Sequence, residues 1–310
     1  MSEKNWKYVP LCSEKRTLIL DTDIGPDCDD VGAIAILAEY QRMHGFDVAG
    51  VVNCTSNPYG NGTVRALSRF LGLDLTVAQN EHPGLLEDAQ VYNRPVSEKY
   101  LAPAERSAAL PALEFYRDAL EKAADDSVVL VTIGQFTTVS ALLEKYPDLV
   151  AKKVYAMVSM ACAFPSGREF NIFGDTPAAQ NVFANFPRPI ICSGFDVGLT
   201  VMTGYAEAPE NAERNPVYDS YRLYLHEQLR DEGTLWRPSF DLTAVQYAVE
   251  GDGDFYALSE PLAIEIAEDG SNASRPWDGS GAVCYSILRK TPDEPLAAHL
   301  NRLLHISDKS

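Results

Sequence analysis

Apolar positions along the chain fall into two alternating kinds of run. Thr17-Leu18-Ile19-Leu20 is a short β-branched and apolar stretch, whereas residues 31–40, which follow it closely, carry apolar side chains on more than one helical face. The first predicts a buried strand and the second a buried helix. Further along, residues 47–52, 128–133, 154–160 and 189–192 read as strands, and residues 62–71, 113–124, 137–145 and 177–184 as helices. Strands alternating with helices predict an α/β fold with a doubly wound, mostly parallel sheet and with sites at the carboxyl ends of its strands.

Two later stretches depart from that rhythm. Residues from about 209 to 236 are polar, tyrosine-rich and helical in pattern, and Arg237-Pro238 and a second helix from about Leu242 follow them. They predict a helical insertion packed over the site, within a single domain spanning residues 1–310. After Asp252, residues 255–258, 262–266 and 282–288 read as C-terminal antiparallel strands, closed by a helix near 296–304.

Composition narrows the choices. A chain of 310 residues, 46% of them hydrophobic, can bury a sizeable core. It has no run long and apolar enough to span a membrane, and the start, Met1 to Trp6, lacks the apolar stretch of a secretory signal. A cytoplasmic location is therefore expected. The six cysteines are scattered without a Cys-x-x-Cys pair, so free thiols are expected rather than disulfides. With 26 Lys plus Arg against 44 Asp plus Glu, the net charge is −18, which repels nucleic acid and anionic membranes alike. The expected partner is a small molecule.

The chemistry concentrates in Asp21-Thr22-Asp23-Ile24-Gly25-Pro26-Asp27-Cys28-Asp29-Asp30, directly after the first strand. Five carboxylates so close cannot all ionise without a cation among them. Hard oxygen donors suit Ca²⁺ or Mg²⁺, and no His or Cys pattern points to zinc. A solvated loop with helix-capping aspartates is the plainer alternative.

This cluster resembles the N-terminal fingerprint of the inosine-uridine nucleoside hydrolase family, an Asp-x-Asp-x-Gly-x-Asp-Asp pattern. Other segments are similar in the same order: Asn57 with Thr63 and Arg65, Val131 to Thr138, Glu169-Phe170-Asn171-Ile172 with Asp175 to Ala179, and Phe240-Asp241. The resemblance implies a calcium-dependent ribonucleoside or riboside N-hydrolase. Asp23 would be general base and metal ligand, Asp30, Asp241 and the Ile133 carbonyl further metal ligands, and Asp29, Asn57, Glu169 and Asn171 the ribose-binding residues. It also implies a homodimer or homotetramer. Calcium accepts six to eight oxygens in flexible geometry, which fits such a mixed shell better than Mg²⁺ does.

The chain departs from the family pattern in several places. Asp27-Cys28 adds two residues to the fingerprint, so that Asp27 competes with Asp29 for the ribose role. Phe240 stands at a substrate-facing position where part of the family has a leaving-group histidine, and Tyr92-Asn93-Arg94-Pro95 occupies the region of a second one. A replacement acid is sought in the insertion, where Tyr221, Tyr224 and His226 are candidates, His226 foremost, and Trp236 offers a stacking surface. Two rival readings remain. One is a haloacid-dehalogenase-like phosphatase with Asp21 as nucleophile; the other is a metal-dependent riboside-binding protein without turnover.

Overall fold

The computed structural model describes residues 6–89, 91–230 and 233–305. Chain start and end (1–5 and 306–310), Gln90 and two residues of the expected insertion, Asp231 and Glu232, lie outside them. The first half of the chain supplies β1 (Thr17–Thr22), β2 (Asp47–Asn53), β3 (Val77–Gln79) and β4 (Leu110–Pro111), each parallel to its neighbour. On the other side of β1 come β5 (Val128–Ile133) and β6 (Val154–Met160), both parallel; after the short β7 (Ser166–Arg168), β8 (Ile190–Ser193) pairs with β6. A separate antiparallel ribbon joins β9 (Met202–Tyr205) to β10 (Leu235–Pro238). The C-terminal part adds β11 (Tyr256–Leu258), β12 (Leu262–Ile266), β13 (Ser271–Pro276) and β14 (Cys284–Arg289).

Among the described residues the main sheet runs β4-β3-β2-β1-β5-β6-β8-β14-β12-β13-β7, with β11 alongside β14. Strand order reverses between β1, which continues outward to β2, and β5, which continues to β6. Such a reversal splays the following loops apart and opens a crevice at the carboxyl ends of the two strands. Asp21 faces Thr132 and Thr22 faces Ile133 in register there, so the aspartate loop and the turn after β5 emerge side by side.

Every residue of β5 and β6 is buried, as strands covered by helices on both faces must be. Helix Asp29–His44 is equally enclosed: its first twelve residues are all buried, and it packs against helix Phe240–Glu250. The expected antiparallel strand near 282–288 is β14, which pairs antiparallel with β11 from Tyr256 to Leu258 and has a second, unexpected neighbour on its other side. β14 runs parallel to β8, pairing Cys284 to Ser286 with Ile190 to Cys192, and touches antiparallel β12 at Leu262. The four positions at its start, Cys284 to Ile287, are buried without a break, as in a strand covered on both faces.

The expected insertion is only partly helical. Pro216–Arg222 is an α-helix, Leu223–Gln228 continues it as a π-helix, and the chain then returns in β10. Among the described residues no helix is long and apolar enough to cross a membrane.

Candidate active site

The aspartate loop is held by its backbone. Gly25 has φ 148°, and a side chain there would meet the Ala89 carbonyl oxygen and the Asn93 amide at 2.8 Å, so glycine is required. Asn93 donates to the Ile24 carbonyl at 2.8 Å, and the Tyr92 hydroxyl donates to the Asp27 carbonyl at 2.6 Å. Both residues are fully buried. The loop ends in helix Asp29–His44, whose first turn carries Asp29 and Asp30, where the helix dipole favours negative charge. On the other side, a Cβ at Gly134 would lie 2.5 Å from the Asp23 backbone nitrogen; glycine lets the turn after β5 pass directly against Asp23.

These elements enclose a cavity of about 380 Å³ at the β1/β5 reversal. Asp23, Asp27, Asp29, Asp241, Glu169 and Asn171 line its polar side, and Phe170, Phe173, Phe195, Tyr224 and Phe240 are its aromatic groups. Asp241 sits in the first turn of helix Phe240–Glu250, and its backbone N–H donates to Asp29 Oδ2 at 3.2 Å. Carboxylate oxygens of Asp27, Asp29, Asp30 and Asp241 all lie within 4.8 Å of one another.

Burial, reinforced by the neighbouring negative charges, pushes the carboxyls of Asp29, Asp30 and Asp241 well above their usual range. Burial and the charge of Asp27 push Asp23 up to about 8. Asp27 alone is lowered: hydrogen bonding from Asp29 and the adjacent Arg237 guanidinium, 2.5 Å away, outweigh its own burial. The buried Asp29 Oδ1 has no hydrogen-bond partner. An all-oxygen set of this density, with an orphaned carboxylate oxygen in it, fits a hard divalent cation.

Beside the carboxylates lies a neutral relay. Gln135, fully buried, donates through Nε2 to Asp23 Oδ2 at 2.8 Å and to Asn171 Oδ1 at 3.4 Å. Asn171 in turn donates to the Met160 carbonyl at 3.0 Å. Glu169 is the N-cap of the short helix Phe170–Gly174, accepting from the backbone N–H groups of Asn171 and Ile172, and also from that of Cys162. Burial nevertheless pushes Glu169 up to about 7 against those donors.

Of the residues singled out in the sequence, Asp23, Asp29, Ile133, Glu169, Asn171, Phe240 and Asp241 line this cavity, and Asp30 joins the carboxylate cluster from behind, accepting from the Thr22 hydroxyl. Asn57 does not line it. Its Oδ1 accepts from the Tyr59 backbone N–H at 2.9 Å and its amide donates to the Ala89 carbonyl, a turn-forming use that consumes both ends of the side chain. His226 is also outside the cavity wall, its ring 3.4 Å from the Gly233 carbonyl oxygen. Tyr224 reaches the cavity, and a residue two positions further along a helical segment points to the opposite side. Tyr221 and Trp236 stay away from it as well.

Asp21 is fully buried outside the cavity, where Tyr116 and Thr138 donate to its Oδ2. That position removes it as a nucleophile. Gln135, Arg237, Arg168 and Phe195 join the site without a sequence motif that marks them. Gln135 stood inside a recognised segment, and Arg237 stood next to the expected insertion, but nothing in the sequence showed where either side chain would go.

A carboxylate cluster suited to a cation, next to a buried aspartate and a wall of sugar-sized polar groups at a strand-order reversal, defines a metal-assisted hydrolase of small molecules. Residues 18–285 match the family described as inosine-uridine preferring nucleoside hydrolase, and the chain belongs to that family. It is thus an N-ribosyl hydrolase, acting on the N-glycosidic bond of ribonucleosides. The pyrimidine-specific ribonucleoside hydrolase RihB of Escherichia coli is 27% identical over 262 residues, which cover 77% of this chain and 80% of that protein. Among solved structures, the purine-preferring ribonucleoside hydrolase from Gardnerella vaginalis superposes with a TM-score of 0.72 at 18% identity, over 95% of this chain and all of that one. The plant nucleoside hydrolase PpNRh1 gives 0.72 at 19% identity, over 94% and 99%. Both share the fold.

Proposed function

We propose that the protein is a calcium-dependent hydrolase of ribonucleosides or closely related ribosides in which Asp23 is the general base. The observation that carries this reading is the position of Asp23, which lines the cavity between the four-carboxylate cluster and the Gln135–Asn171 pair. Asp30 and Asp241 are the core of the cation site, with Asp23 and the Ile133 carbonyl at its cavity side. Calcium bound there offsets the mutual repulsion of the aspartates and makes a bound water more acidic.

The remaining chemistry falls to the chain's own side chains. N-Glycosidic cleavage builds positive charge on the sugar, which buried carboxylates stabilise. Asp29, with its unpartnered Oδ1, and Glu169 and Asn171 face the ribose hydroxyls; Asp23 removes a proton from the attacking water. Gln135 holds Asp23 and Asn171 in one arrangement. The stacked rings of Phe195 and Phe240, 5.1 Å between centroids, give the leaving base a flat apolar wall.

Asn57 has no place in this scheme, since both of its polar ends serve the loop. Six unpaired cysteines support a reducing compartment, and the cytoplasm belongs to this reading, as does a dimer or tetramer. Incubation with a panel of nucleosides, with and without EDTA, tests it by the ribose released. EDTA-sensitive release supports the hydrolase; tight nucleoside binding without release would replace it with a binding protein.

A further inference from the structure

Among the described residues that line the cavity there is no histidine; of its two arginines, Arg168 lies over Phe173, and Arg237 lies beside Tyr224 and Phe240, on the side of the stacked Phe195–Phe240 wall. The Arg237 guanidinium lies 5.3 Å over the Tyr224 ring and 5.8 Å over the Phe240 ring, with one nitrogen, Nη2, on Asp27 at 2.5 Å. The side chain is only one-fifth exposed, and its Nε is buried without a hydrogen-bond partner. It is mounted on β10, whose pairing with β9 fixes its backbone three residues ahead of Phe240. Its backbone is held in the ribbon, and the donors belong to a cavity-lining residue.

Resting on the hydrolase reading above, we propose that Arg237 is the leaving-group residue. As the C1′–N bond breaks, its electron pair passes to the departing nitrogen, and negative charge gathers on the base. The water oxygen bonds to C1′ and its proton goes to Asp23; the base leaves as an anion hydrogen-bonded to Arg237 and takes a proton from solvent. Asp23 returns its proton to solvent, so the sum is riboside plus water giving ribose plus protonated base. A guanidinium stays protonated throughout the accessible pH range, so it stabilises this charge without transferring a proton. Asp27 holds the fork in place, which is the use to which the extra residues in the aspartate loop are put. The substrates that such a residue favours are ribosides whose leaving group departs as a stabilised anion.

The test compares parent, Arg237→Ala and Arg237→Lys on a natural nucleoside and on p-nitrophenyl riboside, whose leaving group needs little help. Loss of one preorganised donor to a developing anion typically costs about 10²- to 10³-fold in rate, and that loss is expected for the nucleoside in Arg237→Ala, with less than about tenfold for the activated riboside. Added guanidinium, far below denaturing concentration, is expected to restore nucleoside turnover in Arg237→Ala. Arg237→Lys keeps the charge and most of the packing but not the fork; it is expected to lose nucleoside activity selectively as well, and it carries the test should the alanine variant not fold. Equal losses on both substrates, or no loss, or no rescue by guanidinium would overturn the assignment and leave Arg237 a support for Asp27. Absence of ribose release from every riboside by the parent would instead overturn the hydrolase reading.

Discussion

Gln135 gives the sharpest test of how the site is organised, because its amide nitrogen touches Asp23 and Asn171 at once, while its Oε1 accepts only a weak bond from the Cys54 thiol at 3.9 Å. Replacing it with Leu keeps the approximate volume in a fully buried position and removes the 2.8 Å donor to Asp23 Oδ2, while the 3.4 Å contact to Asn171 is too long to add much. A hydrogen bond to a charged group is worth about 1.5–3 kcal/mol, so if it operates mainly in the transition state, kcat/KM should fall about 10- to 100-fold. The fall should appear largely in kcat, since the base acts after substrate is bound. Steady-state kinetics on a natural nucleoside, with calcium content and melting temperature measured alongside, separates this from general damage: both should stay near the parent values. A variant with normal metal content and kcat/KM within about threefold of the parent would refute the claim that Gln135 positions the base, because the lost hydrogen bond would then be worth less than 1 kcal/mol.

Asp23→Asn should keep the loop and lose the proton acceptor, lowering kcat by about 10²- to 10⁴-fold with nucleoside binding retained in a calorimetric titration. Chelation should expose the cost of the buried carboxylates as a pH effect. Asp23 is raised to about 8 and Glu169 to about 7 without metal, so the folded state holds protons that the unfolded chain has lost; the resulting stability is full below about pH 4 and disappears as pH rises toward 8. Melting curves of EDTA-treated protein should therefore fall steadily from pH 5 to 8, and calcium should restore most at the upper end; a flat apo profile would contradict the burial of these charges.

Much of the fold was readable because its signals are local. The unbroken apolar runs of β1, β5 and β6 and the two-faced apolar helix at 29–44 leave few options other than a sheet covered on both sides. What stayed hidden was one pairing at a distance, the parallel side of β14. Nothing within residues 282–288 says whether the partner is β8 or only a C-terminal neighbour, and parallel pairing with β8 across some ninety residues is decided by which edge remains free. Short elements at or next to the sheet edges, β3, β4 and β7, have two or three residues each and too little sequence to carry a period.

The site divides along the same line. Carboxylates crowded after a buried strand announce themselves, since their burial is tolerable only with a cation among them or with protons on them, and Glu169-Phe170-Asn171 was legible as a motif. Neutral and cationic partners were not. Asn57 and Tyr92-Asn93 illustrate why: an asparagine beside a functional loop can face the substrate or tie the loop's own backbone, and the choice depends on contacts such as Asn57 with Ala89 and Asn93 with Ile24, more than thirty residues away in each case. In the region where the resemblance led one to look for a second histidine, this chain has two buried residues that grip the Ile24 and Asp27 carbonyls. The loop they brace is the one that carries Asp27 against Arg237. If Arg237 serves the leaving group, the histidine-free wall among the described residues and the Asp27–Arg237 pair belong together: the site then holds a fixed charge in position where no lining imidazole exchanges protons.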